Sequence, residues 1–281
     1  MRLFKEVAIV GPGLIGGSIA LALKRKKIAL RVIAVSRHKK TISLARKLKA
    51  IDAGSRDLSA VRNADLIVLA VPVKTILKIA DDLRGLLRRD CIVIDVGSSK
   101  DKVVSKLQRM FPFYVGAHPL AGSQKQGIQN ARAEMFKDSL CVLTPTAKTK
   151  QVALDKVSRM WEMLGARVVS LAPKEHDRIL AMVSHLPHCV SFALMASVPK
   201  GDLKYASSGL RDTTRIAGSD AGLWADIFLT NRRNMLKAIA AFRKELGSVE
   251  KSIRGNNRSF LMKRLTRAGG KRRLLTGGGA G

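Results

Sequence analysis

The stretch VAIVGPGLIGGS, Val7–Ser18, constrains the fold more than any other part of the chain. The apolar, β-rich run Glu6–Val10 stops at Gly11-Pro12-Gly13, and helix-forming residues take over from Leu14. In a G-x-G-x-x-G turn between strand and helix, each glycine has its own task. The first permits the tight turn, the second lets a pyrophosphate approach the backbone, and the third lets helix pack on strand. The free N–H groups opening the helix then meet the phosphates. The chain is expected to begin with a dinucleotide-binding unit, with Gly11, Gly13, Leu14, Ile15 and Gly16 on the cofactor. An ordinary glycine-rich turn is the competing reading.

Val7–Leu23 is uncharged, follows Arg2 and Lys5, and contains Ala20-Leu21-Ala22, which resembles a secretory signal. The break at Gly11-Pro12-Gly13 and the better explanation above argue against that. No other uncharged apolar run is expected to approach the ~20 residues that span a bilayer.

Further strands are expected at Arg31–Ser36, Asp65–Pro72 and Cys91–Ser98, around FYVGAH and SLCVLTP, and at Arg167–Leu171. Helices are expected between them, at Leu14–Lys26, Lys39–Lys49, Val73–Leu87, Lys100–Arg109 and Lys148–Leu164. Strands alternating with helices predict a mostly parallel sheet, and near-continuous apolar strands predict helices on both faces. After Pro173 the pattern becomes helical: one long helix from Pro173, a second over Ala221–Leu246, a third over Arg258–Leu275 with Gly269-Gly270 interrupting it. The expected division is an α/β Rossmann-type domain over residues 1–171, an all-α domain over 172–275, and a disordered tail at 276–281.

Where a second strand of this fold ends, NAD-binding chains usually carry a carboxylate for the ribose hydroxyls. Here the sequence reads Val35-Ser36-Arg37-His38-Lys39-Lys40. Ser36 can donate to a phosphate, and Arg37 can pair with it and stack on adenine. This favours NADP, with NAD still possible, because Arg37–Lys40 also reads as a solvated basic face. The chain carries 52 Lys and Arg against 21 Asp and Glu, a formal charge of +31. Nucleic acid or an anionic membrane could use such a charge. The basic residues are spread along the chain without a nucleic-acid motif, so a solvated surface is the preferred reading. Cys91, Cys141 and Cys189 are far apart and odd in number, with no CxxC, so reduced thiols in a cytoplasmic protein are expected.

Ligands of open α/β sheets bind beyond the carboxyl ends of the strands. Ser98 and His118 each follow an apolar strand and are expected on that rim. His185 and His188 in SHLPH are three apart and share a helical face, with Pro187 able to kink the helix. No HExxH pattern supports a metal there. Arg211 and Arg215 in GLRDTTRIAGSD can grip a carboxylate, though spacing alone singles out neither.

Taken in order, GPGLIGGSIALALK, DVGSSK, GAHPLAGS, SHLPH, RDTTRIAGSD and WADIFLTN resemble the prephenate/arogenate dehydrogenases of tyrosine synthesis over nearly the whole chain. The resemblance implies a Rossmann-type domain followed by a helical dimerisation domain, and hence a homodimer. It also implies oxidative decarboxylation of a cyclohexadienyl substrate, prephenate or arogenate, with hydride passing to NADP or NAD. His118 resembles the catalytic histidine at the ring hydroxyl, Ser98 the serine that assists there, and Arg215 the arginine on a substrate carboxylate. His185, His188 and Trp224 resemble residues that line or shape the pocket, and Ser123 and Gln124 fall beside them. Many members are acidic where this chain has Gln124, which leaves substrate choice open. The alternatives are another β-hydroxyacid-type dehydrogenase of similar layout and, from a different class, a basic protein that binds nucleic acid or membrane.

Overall fold

The computed structural model describes residues 2–122 and 125–275; Ser123, Gln124 and the expected tail at 276–281 lie outside them. Among the described residues, one eight-stranded sheet runs in the order β3-β2-β1-β4-β5-β6-β7-β8. Its strands are β1 Phe4–Val10, β2 Ala29–Val35, β3 Ala53–Ser55, β4 Leu66–Leu69, β5 Ile92–Asp95, β6 Tyr114–Pro119, β7 Leu140–Leu143 and β8 Arg167–Ser170. The pairings are parallel except β6 with β7, where His118 faces Val142. Helices α1 Leu14–Arg25, α2 Lys39–Lys47, α3 Val73–Leu83, α4 Asp101–Met110 and α5 Gln151–Leu164 connect them.

Side chains alternate between the two faces of a strand, and both faces are buried here. Ile9, Val68 and Ile94 join a core with Ile19, Leu23 and Trp161, while Val10, Ile67, Leu69 and Val93 join another with Ile76, Val103 and Leu107. Two buried faces explain why these strands carry almost no polar residues. The uncharged segment at residues 7–23 is thereby accounted for as β1, a glycine turn and the buried side of α1.

Beyond β8 the chain is helical: α6 Pro173–Leu180, α7 Leu186–Ser197, α8 Ser208–Thr214, α9 Ala221–Thr230, α10 Arg232–Arg254 and α11 Arg258–Arg273. The long helix expected from Pro173 contains a π-helical turn, Ala181–His185, between α6 and α7. The Leu186 N–H reaches back to the Ala181 carbonyl there. Pro187 cannot donate, so the wider turn forms where the regular ladder would fail.

Three expectations are corrected. The helix over Ala221–Leu246 is two helices, α9 and α10, because Asn231 departs from helical geometry (φ −103°, ψ 28°) and turns its side chain to other partners. Gly269-Gly270 do not interrupt the last helix. The 25-residue helical segment Pro173–Ser197 is long and apolar enough to cross a membrane, so residues 7–23 are not alone in approaching that length. Its polar side chains His176, Asp177 and His185 are buried in a hydrogen-bond network with the sheet and α4. That places α6 and the π-helical turn of this segment against protein, while most of α7 is part-exposed.

The chain divides into two compact units, one up to Arg232 and one from Arg233. Secondary structure changes character near 171/172, yet packing continues past that point. Helix α6 lies on α4 and α9 on α3, where Lys74 pairs with Asp226 at 2.6 Å. Within the second unit, Arg264 on α11 donates to Glu245 on α10 at 2.9 Å, and Asn257 caps α11 by accepting from Phe260 N–H.

Candidate active site

Strands β1, β4, β5 and β6 are parallel, so their carboxyl ends share one rim of the sheet. At β1 the glycine turn opens α1. Gly11 has φ +90°, a conformation glycine tolerates, and a Cβ there would lie 2.6 Å from the Ala70 carbonyl oxygen. A Cβ on Gly16 would lie 2.3 Å from the Gly11 carbonyl oxygen, so helix and strand could not close. Gly13 caps α1 without a side chain, and a Cβ there would meet nothing within 4 Å. The backbone thus faces open space, the first turn has no acidic residue, and the N–H groups of Leu14 and Ile15 point outward from the helix start. These features fit a pyrophosphate.

At the end of β2, Ser36 is half-buried and Arg37 is exposed. The Ser36 hydroxyl accepts from His38 N–H at 3.3 Å, and Arg56 Nε donates to the Arg37 carbonyl at 3.2 Å. Arg56 therefore brings a second guanidinium to this corner. Sequence spacing gave no reason to pick it, because β3 and its following turn return to β2 only in three dimensions.

His118 is buried near the end of β6. Its Nδ1 lies 2.8 Å from His176 Nε2, and His176 Nδ1 lies 2.8 Å from Asp177 Oδ1. The Asp177 oxygens also accept from the backbone N–H groups of Lys100 (2.7 Å) and Asp101 (3.0 Å) at the start of α4. Burial pushes the His118 pKa well below that of an ordinary histidine, and the neighbouring His176 and Lys100 push it the same way. His118 is therefore a neutral imidazole whose Nε2 has no hydrogen-bond partner among the described residues. Beneath it, Lys100 Nζ pairs with Asp95 and donates to the Ala117 carbonyl at 2.8 Å. Asp95 also accepts from the Tyr114 hydroxyl at 2.6 Å and from Gly97 N–H at 2.8 Å. That buried cluster holds the loop carrying Ser98 against the strand carrying His118.

His185 is buried, and Asn231 links it to the same network: its Nδ2 donates to the Asp177 carbonyl at 2.7 Å and lies 3.2 Å from His185 Nδ1. Burial lowers the His185 pKa to about 4. The Ser98 backbone adjoins that ring, and His185 in turn bears on His118. His185 and His188 both reach Trp224, with ring centroids 6.1 and 3.5 Å away. Arg215 begins a short 3-10 turn after α8, is exposed, and its charge bears on His188.

The expected residues Ser98, His118, His185, His188, Trp224 and Arg215 thus gather at one end of the sheet, while Ser123 and Gln124 lie outside the described residues. His176, Asp177, Lys100, Asp95 and Asn231 were not singled out from the sequence. A histidine beside an aspartate early in a helix carries no pattern of its own, and only folding aims it at His118.

Two family models match. Residues 19–170 match the prephenate dehydrogenase nucleotide-binding domain, and residues 172–267 match the prephenate dehydrogenase dimerization domain. The chain is 34% identical to a cyclohexadienyl dehydrogenase of Zymomonas mobilis over 93% of each protein. It resembles a prephenate dehydrogenase from A. aeolicus, solved in complex with hydroxyphenyl propionate and NAD+, with TM-score 0.92 and 35% identity over 96% of this chain and 98% of that one. A Synechocystis arogenate dehydrogenase aligns with TM-score 0.82 and 32% identity over 96% and 99%. With the glycine turn and the buried histidine of the sheet rim in their expected places, the chain belongs to the prephenate dehydrogenase family.

Proposed function

We propose that the protein is a cytoplasmic, homodimeric dehydrogenase that converts prephenate or arogenate to 4-hydroxyphenylpyruvate or tyrosine. The observation that carries this reading is His118: a neutral imidazole on the sheet rim, with Nδ1 engaged and Nε2 without a hydrogen-bond partner among the described residues. A bound nicotinamide supplies the hydride acceptor. The chain's own task is the ring hydroxyl, whose proton must leave as the carbon becomes a carbonyl. His118 Nε2 accepts that proton. The substrate loses only a hydride and CO2 overall, so His118 returns the proton to the phenolic oxygen as the ring becomes aromatic. Ser98 assists at the same hydroxyl. Arg215 grips a substrate carboxylate, and His185, His188, Trp224, Ser123 and Gln124 shape the pocket around it.

NADP is the preferred cofactor in this reading. Support comes from Ser36 and Arg37 at the end of β2, with Arg56 beside them and no carboxylate among residues 36–40. The relative from A. aeolicus was solved with NAD+, so both cofactors belong in the test. The helical segment 172–275 is assigned to substrate binding and dimerisation. Exposed Met182, Val183, Leu223 and Leu229 in the first unit and, taken separately, exposed Leu236, Leu246 and Ile253 on α10 support apolar contact with a second copy.

The deciding experiment gives purified protein both substrates with both nicotinamide cofactors and follows absorbance of the reduced cofactor. Turnover of one substrate supports the reading. Inactivity with all four combinations, by protein that binds cofactor, overturns it.

A further inference from the structure

The chain His118–His176–Asp177 has an order that fixes where each proton sits. Asp177 is an acceptor on every side: its oxygens take the N–H groups of Lys100 and Asp101 and face His176 Nδ1. His176 must therefore carry its proton on Nδ1. Its Nε2 then holds a lone pair, and the group facing it is His118 Nδ1 at 2.8 Å. That contact is a hydrogen bond only if His118 is protonated on Nδ1, which leaves the lone pair on Nε2 (the nitrogen a base must use).

We propose that His176 and Asp177 are positioning residues that hold His118 in its Nδ1–H tautomer and steady the imidazolium formed when Nε2 takes a proton. This rests on the reading of His118 as the base in the proposed reaction. Proton balance is simple: a proton moves from the substrate hydroxyl to Nε2 and later back to the product oxygen, and no other bond in the chain need break. Isolated imidazole populates both tautomers, so without this chain part of the enzyme would present an N–H to the substrate. The geometry supports the arrangement further. All three residues are almost wholly buried, the two rings are 5.1 Å apart between centroids, and Asn231 holds the Asp177 backbone carbonyl at 2.7 Å. His176 and Asp177 open α6 and the Asp177 carboxylate anchors the start of α4, so two helices fix the angle of the His118 ring.

His176→Phe tests the idea, because it keeps a flat ring beside His118 and removes the Nε2 lone pair that holds the His118 Nδ1 proton. Asp177→Asn does not force the same change: Asp177 Oδ1 serves both Lys100 N–H and His176 Nδ1 while Oδ2 serves Asp101 N–H, so an amide oxygen in the Oδ1 place leaves His176 as it is. In 15N-histidine spectra near pH 8, wild-type His118 should show a protonated Nδ1 and a bare Nε2, assigned by the loss of signals in His118→Asn. His176→Phe should show Nε2 protonated in much of the protein. Its kcat should fall roughly 10- to 10³-fold with KM nearly unchanged. Adding His176→Phe to His118→Asn should cost nothing further.

A wild-type His118 protonated on Nε2 overturns the proposal without any variant. So does a His176→Phe protein whose His118 tautomer is unchanged, or whose loss adds fully to that of His118→Asn. Wild-type protein inactive on both substrates defeats the proposed reaction instead, and the spectra still decide the tautomer.

Discussion

The imidazole of His188 lies flat over the indole of Trp224, ring centroids 3.5 Å apart and planes 20° from parallel. Its Nδ1 is engaged with the Ser184 carbonyl at 3.0 Å. Partial burial lowers its pKa below that of an ordinary histidine, the Ser184 carbonyl opposes this, and the Arg215 charge lowers it further. A protonated imidazole in that position should quench Trp224. The other tryptophan, Trp161, is buried against Phe136 and away from any imidazole contact of this kind. Trp fluorescence should therefore fall on acidification with a midpoint below 6.5, and Arg215→Ala should raise that midpoint. His188→Phe should abolish the transition; a transition unchanged in that variant would mean another group reports.

His118→Asn removes the proposed base while keeping a small polar side chain on β6. Turnover should drop roughly 10²- to 10⁴-fold, the usual contribution of a positioned general base. KM should change much less. Near-normal turnover in steady-state assays would take His118 out of the mechanism.

Arg215→Ala should act on substrate binding. Losing a charge-assisted bond to a carboxylate corresponds to roughly a ten- to hundred-fold weaker interaction, read as an increase in substrate KM. The cofactor dissociation constant, measured by fluorescence titration, should barely move. Equal losses for both ligands would assign Arg215 to folding or an interface.

The cofactor corner is tested by the double change Ser36→Asp with Arg37→Ala. Wild type should prefer NADP by at least about ten-fold in kcat/KM, the effect of one charge-assisted phosphate contact. The double variant should erase or reverse that preference. The overall positive charge attracts either cofactor, so the comparison belongs at physiological salt, where a diffuse field fades more than a seated ion pair. Equal use of NAD and NADP by wild type there would remove Ser36 and Arg37 from cofactor choice.

Acidification should weaken the fold. His118, His176 and His185 all have pKa values lowered by burial, His185 to about 4. The unfolded chain takes up protons near pH 6.5, whereas the folded chain resists until its lowered values are reached. Between those limits the unfolded state binds more protons, so stability rises with pH and is lost as pH falls from about 6.5 towards 4. For His185 alone the change is on the order of 3 kcal/mol across that window. Urea denaturation at pH 5, 6 and 7 should show the slope, and His185→Gln should flatten it. A stability independent of pH over that range would mean that the buried imidazoles are already charged or become solvated.

The sequence by itself determined the alternation of strands and helices through β8, β3 excepted, and which residues are candidates for the site. Apolar strands in β1, β4 and β5, the glycines between β1 and α1, and short motifs around Ser98, His118, SHLPH and Arg215 carry local information: periodicity, backbone freedom and residue type at fixed spacing. The tertiary structure alone decided what surrounds His118. His176 and Asp177 are 58 and 59 positions away in sequence, and Lys100 and Asn231 come from separate elements. Their role is defined by the direction of hydrogen bonds across those gaps, and no local pattern encodes a direction. The break at Asn231 arises the same way. Local propensity favours continuous helix there, but buried polar groups must find partners, and that need is settled only when the helix meets α6.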